Sequence, residues 1–153
     1  MKKWSLLLLR ISLGWLLVIW GIDKVVNVEH GVAIANKFYM GMFAVDNLIQ
    51  AGGLMQVLVG LLVVLGLMRR LIYPILLLLN TATLVAVAQS VIDPWSWFFA
   101  GSNALFYPSL IIFAGSLVVM AWRNEDRFAL DTLTAKPTHT DKKASTPTTA
   151  QVD

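Results

Sequence analysis

The chain has 153 residues, 58% hydrophobic and 14% charged, with a mean hydropathy of +0.71; an average soluble domain carries roughly 25% charged residues, so most of this surface is unsuited to water. The net charge of +3 rests on Lys and Arg scattered at the ends of apolar blocks and along the tail, which excludes the concentrated basic face that nucleic acid requires. Cysteine is absent, and the two histidines, His30 and His139, fall in polar stretches, which excludes disulfides, thiolate-held metals and a His-ligated haem at membrane depth.

The first apolar block runs from about Trp4 to Ile22 behind Lys2 and Lys3. It is expected to be a retained span rather than a cleaved leader: Arg10 lies inside it, the small-x-small site at Ala33 and Ala35 is too far downstream, and three more spans follow. From Asp23 to Asp46 the chain mixes Glu29, His30 and Lys37 with Phe38, Tyr39, Met40, Met42 and Phe43. That composition suits a loop with a short helix lying in the headgroup zone.

The second block, about Leu48 to Met68, and the third, about Leu71 to Ile92, are separated by Arg69 and Arg70, so they form an antiparallel hairpin. Pro74 is expected in the first turn of the third span, where a missing N–H is harmless, and Asp93-Pro94 to end it. Trp95, Trp97, Phe98 and Phe99 form an interfacial aromatic cluster ahead of the fourth block, about Leu105 to Trp122. The pattern predicts an all-α integral membrane protein, a four-transmembrane-helix bundle over residues 1–131, followed by a disordered cytoplasmic tail over 132–153 rich in Thr, Ala, Lys and Pro. Of the 12 Lys and Arg, only Lys24 and Lys37 fall on the side opposite the N-terminus, so both chain ends are expected in the cytoplasm, in an N-in/C-in topology.

Steps of three and four place Arg10, Gly14, Leu17, Gly21 and Lys24 on one face of the first helix. Arg10 is open to two readings: an internal cation for an anionic headgroup or a quinone oxygen, or a side chain snorkelling to cytoplasmic phosphates. On the second helix Gly52, Gln56 and Gly60 recur every four residues as a seam for close helix approach. Gln56 lies about 12 Å from the outer end, at a depth that Asn80 also reaches from the inner side. The two amides can bond each other, joined by Thr81 or Thr83, or face a ligand pocket. Near the outer surface Asp23, Lys24, Gln89 and Asp93 share a depth beneath aromatic loops; this is either a site for a quinone ring or a periplasmic partner, or an ordinary belt.

These residues taken together resemble the DoxX family of small four-helix bacterial membrane proteins. Leu8-Leu9-Arg10 followed by Gly14, Gly21 and Lys24 is similar to that family's first helix. Gln56, Gly60, Gly66, Leu67 and Arg70 resemble its second-helix signature, and Asp126-Arg127-Phe128-Ala129-Leu130-Asp131 is similar to its Gly-Arg-aromatic-Ser-Leu-Asp ending. Gln56 stands where the family often has Glu and Ala129 where Ser is usual, so no proton-handling role is carried over to Gln56. The resemblance implies a multi-pass protein of the bacterial inner membrane. It implies an accessory or anchoring subunit of a redox or maturation system, with a membrane or periplasmic redox partner. Quinone or lipid is expected at Arg10, Lys24 and Gln56, with no tightly bound cofactor and no metal. The structural seam is expected at Gly14, Gly21, Gly52, Gly60 and Asn80. The alternative is a quinone-linked oxidoreductase in its own right, which would pass electrons directly between bound small molecules. A small transporter is the third class, with few inner polar residues and no inverted repeat to support it.

Overall fold

The computed structural model describes residues 1–41 and 44–134. The elements are α1 (Lys2–Val26), α2 (Val28–Phe38), α3 (Asp46–Leu65), α4 (Arg69–Ala86), α5 (Ala88–Ile92), a 3₁₀ turn at Ala104–Phe106, α6 (Pro108–Ala121) and α7 (Leu130–Thr134). Four helical stretches are long and apolar enough to cross a membrane: Lys2–Val26, Asp46–Leu65, Arg69–Ala86 and Ala104–Ala121. Their outward faces carry exposed Leu8, Ile19, Leu58, Leu78 and Ile111, an arrangement stable in hydrocarbon and costly in water. The fold is therefore the all-α bundle expected.

The bundle is built from two helix pairs, α1 along α3 and α4 along α6. The first pair owes its closeness to glycines seven residues apart on each helix. A Cβ on Gly14 would lie 2.8 Å from the carbonyl oxygen of Gly60, and one on Gly60 would lie 2.7 Å from that of Gly14. Gly21 and Gly53 repeat this reciprocal relation at 2.7 and 2.8 Å. A seven-residue repeat keeps the seam facing its partner along the pair. Gly52, expected in this seam, meets open space; the helical turn of about 100° per residue places its neighbour Gly53 there instead. Between the two pairs Leu13, Leu17, Val59, Val63, Ile72, Tyr73, Leu76 and Val119 form the core.

The α3–α4 hairpin closes with a Schellman turn: Leu67 N–H bonds the Leu62 carbonyl at 3.0 Å and Gly66 N–H bonds that of Val63 at 3.0 Å. Gly66 takes a left-handed φ of 68°, which glycine adopts without Cβ strain. Helix α4 begins earlier than expected, at Arg69, so Pro74 sits inside it and withholds the N–H that the Arg70 carbonyl would otherwise accept. The third span is also interrupted at Val87, between α4 and α5. Ahead of this break the hydroxyls of Thr81 and Thr83 donate to the carbonyls of Leu77 and Leu79, back-bonding that loosens the helical ladder. Helix α7 extends to Thr134, past the expected boundary at 131; residues 135–153 of the expected tail, together with Met42 and Phe43, lie outside the described residues.

Candidate functional site

Among the described residues the polar interior divides into four places, and α1 supplies a cation to the first and the third. At the end carrying the N-terminus, Arg10 is 2% exposed and Asp126 3% exposed. Arg10 Nη1 donates to Asp126 Oδ2 at 2.6 Å, its Nη2 donates to the Phe128 carbonyl at 3.3 Å, and Tyr73 donates its hydroxyl to the same Asp126 oxygen at 3.3 Å. The chain after α6 folds back beneath the bundle to bring Asp126 there. Asp131, at the start of α7, accepts the N–H groups of Met68 and Arg69 at 3.0 and 2.9 Å, capping α4 from a distance of some sixty residues in sequence. Arg69 donates to the carbonyls of Arg123 and Asp126. Ala129 is fully buried, and a Cβ on Gly66 would lie 2.6 Å from Arg10 Nη1 and 2.7 Å from the Ala129 Cβ. The Gly66 turn thus leaves room for both. Neither reading offered for Arg10 matches this geometry: its partner is a carboxylate of the same chain.

In the middle of the bundle Asn80 donates to Ser116 Oγ at 2.7 Å, and Ser116 donates in turn to the Ile112 carbonyl at 2.8 Å. The expected Asn80–Gln56 bond is not formed. Asn80 belongs to the α4–α6 pair and Gln56 to the α1–α3 pair, so each amide faces its own helix partner.

Gln56 instead meets Lys24. Lys24 Nζ donates to Gln56 Oε1 at 2.5 Å, with Gln56 only 6% exposed and Lys24 half-buried. Gly53 clears the lysine stem, since a Cβ there would lie 2.9 Å from Lys24 Cβ; Gly31 of α2 makes room for Ile49 instead, whose Cγ2 would lie 2.5 Å from an added Cβ. Among the described residues no carboxylate lies within ion-pair distance of Lys24. The neighbouring Asp23 is engaged by Asn27 and His30, at 2.7 Å each. Lys24 and Arg10 are separated by about 21 Å along α1 at 1.5 Å per residue, so the three positions expected for quinone or lipid fall in two separate places, Lys24 with Gln56 in one and Arg10 in the other.

Asp93 ends α5 and is 4% exposed. Its carboxylate accepts the N–H groups of Trp97, Phe98 and Phe99 at 2.9, 2.7 and 2.8 Å. Burial pushes its pKa up, but the backbone donors of Phe99, Phe98 and Trp97 outweigh this and hold it below the usual carboxylate range. Asp93 thereby fixes the aromatic loop in which Trp95 and Trp97 stack at 5.4 Å, and is not an open member of an outer polar site. The functional residues that sequence reasoning left unassigned are Asp126, Asp131, Tyr73 and Ser116. For Asp126 and Asp131 the signals were their place in the ending that resembles the family's and their negative charge at an end rich in Lys and Arg.

Among known proteins, the DoxX family model matches residues 5–90 of the chain. No curated protein and no solved structure matches it. The match covers α1 through the middle of α5 and so includes Arg10, Lys24, Gln56, Asn80 and the paired glycines.

Proposed function

The chain belongs to the DoxX family as a multi-pass membrane protein, and we propose that it serves as an accessory subunit of the bacterial inner membrane, anchoring a redox partner and offering that partner's quinone a position at Lys24 and Gln56. One observation carries this reading. Most of the interior polar side chains are engaged in holding the bundle together, Arg10 by Asp126, Asn80 by Ser116 and Asp93 by its loop, whereas among the described residues Lys24 donates only to a neutral amide and has no carboxylate within ion-pair distance. An ammonium with donors beyond the one given to Gln56 suits a quinone carbonyl oxygen, and polarises it without itself carrying electrons. The electrons then come from the partner's centres. In this reading the end bearing Arg10 and Arg69 faces the cytoplasm, and the Lys24 end faces the periplasm, in keeping with the Lys and Arg distribution.

Binding of a short-tailed quinone to the detergent-solubilised protein tests the site, read by quenching of tryptophan fluorescence. Lys24→Met should weaken binding roughly tenfold, the loss of one charge-assisted hydrogen bond, and Lys24→Arg should retain most of it. Equal affinity for wild type and Lys24→Met would remove the site from the account.

A further inference from the structure

A second cationic place lies at the opposite end from Lys24. A cavity of about 400 Å³ opens there between the α3–α4 turn and the chain leaving α6, lined by Met68, Arg69, Arg70, Leu71, Arg123, Asn124 and Asp131. Three arginines therefore border one cavity with a single acidic residue. The carboxylate is already engaged: Asp131 accepts the N–H groups of Met68 and Arg69 and lies 3.6 Å from Arg69 Nε. Arg69 is engaged as well, through Asp131 and the carbonyls of Arg123 and Asp126. Arg70 and Arg123 differ. Among the described residues neither side chain has an ion-pair partner, and both border the cavity.

We infer that this cavity is a binding site for a phosphate-bearing anion, clamped between Arg70 at the start of α4 and Arg123 at the end of α6. The fork of donors on a guanidinium matches the paired oxygens of a phosphate, and two such forks from different helices hold one anion more tightly than either alone. Asn124 also lines the cavity, and Met68 and Leu71 give it an apolar edge. Arg123 is also tied through its carbonyl to Arg69, so an anion bridging Arg70 and Arg123 would reinforce the same fold-back that brings Asp126 to Arg10. The site is distinct from the Lys24–Gln56 position and stands whether or not quinone binds there.

The purified full chain in zwitterionic nanodiscs tests this, with two probes: inorganic phosphate added from solution, and phosphatidylglycerol mixed into the nanodisc lipid. Anion binding should raise the thermal midpoint of the wild type, with apparent affinity roughly tenfold weaker in Arg70→Gln and again in the pair with Arg123→Gln. Arg127→Gln, which removes a charge from the same end outside the cavity, should respond as wild type. A shift produced by phosphatidylglycerol alone assigns the lipid headgroup, and one matched by inorganic phosphate assigns the free anion. Absence of a response to both probes, or an equal response in wild type and the double variant, would overturn the site. If the double Gln variant does not fold, the Arg70→Lys, Arg123→Lys pair decides: a charge without the fork should bind more weakly than wild type, and undiminished binding would contradict the clamp.

Discussion

Breaking the Arg10–Asp126 pair from one side leaves the other as a buried charge, because the two side chains are only 3% and 5% exposed. Asp126→Ala should therefore cost about 3–5 kcal/mol, measured by reversible unfolding in mixed micelles, whereas the apolar replacement Arg10→Met with Asp126→Leu should recover most of that loss. A single variant as stable as wild type would show that the pair is not buried in the folded protein. Asp93 makes a different prediction, about pH. Its folded pKa is depressed, so its contribution is fully present above the unfolded value, about 3.9, and is lost as pH falls through the lower folded value. Tryptophan emission from the loop of Trp95 and Trp97 should be constant between pH 7 and about pH 5 and change only in stronger acid; Asp93→Asn should show the altered emission at neutral pH. At this scale the sequence revealed which residues were unusual but not their partners. Arg10 stood out as a charge in an apolar block, yet Asp126 lies 116 residues away, and no local spacing links them.

At the scale of helices the glycine-bearing faces were legible but the partners were not: the close pairs are α1 with α3 and α4 with α6, and the expected contact of Asn80 with Gln56 is not made. The recurrence of Gly52, Gln56 and Gly60 every four residues suggested one face, but the glycines of α1 recur at seven, and only Gly53 with Gly60 matches that interval across the pair. Matching periods between helices carries more information than a period within one. Two adjacent substitutions test the assignment. Gly53→Leu should overpack against the Gly21 carbonyl and the Lys24 stem, costing at least about 1–3 kcal/mol, while Gly52→Leu, directed into open space, should change stability by less than about 0.5 kcal/mol. Thermal melts ranking these two the other way would relocate the seam. The interruption at Val87 escaped the sequence reading because hydropathy continues unbroken through it; the back-bonded threonines that precede it are visible as residues but not as a break.

Across the whole molecule, the number of spans and the all-helical class followed from apolar block length, since hydrocarbon leaves a chain few ways to satisfy its backbone. The fold-back after α6 did not follow, because its residues look like an ordinary charged exit from a membrane. It brings the two ends of the described chain together, with Lys2 and Glu125 paired at 2.5 Å and the Trp4 and Phe128 rings 4.9 Å apart. Reporter fusions after Trp122 and within α2 should therefore report opposite sides of the membrane, with the Trp122 fusion cytoplasmic; a periplasmic signal from it would reverse the proposed orientation. The central claim is that the chain positions quinone for a partner and does not itself turn it over. It is tested most directly by supplying the purified protein with a water-soluble quinone and a panel of small reductants, and following quinone absorbance. The account predicts quinone binding that depends on Lys24 and no reduction above the protein-free rate; sustained reduction by the chain alone, abolished by Lys24→Met, would contradict it.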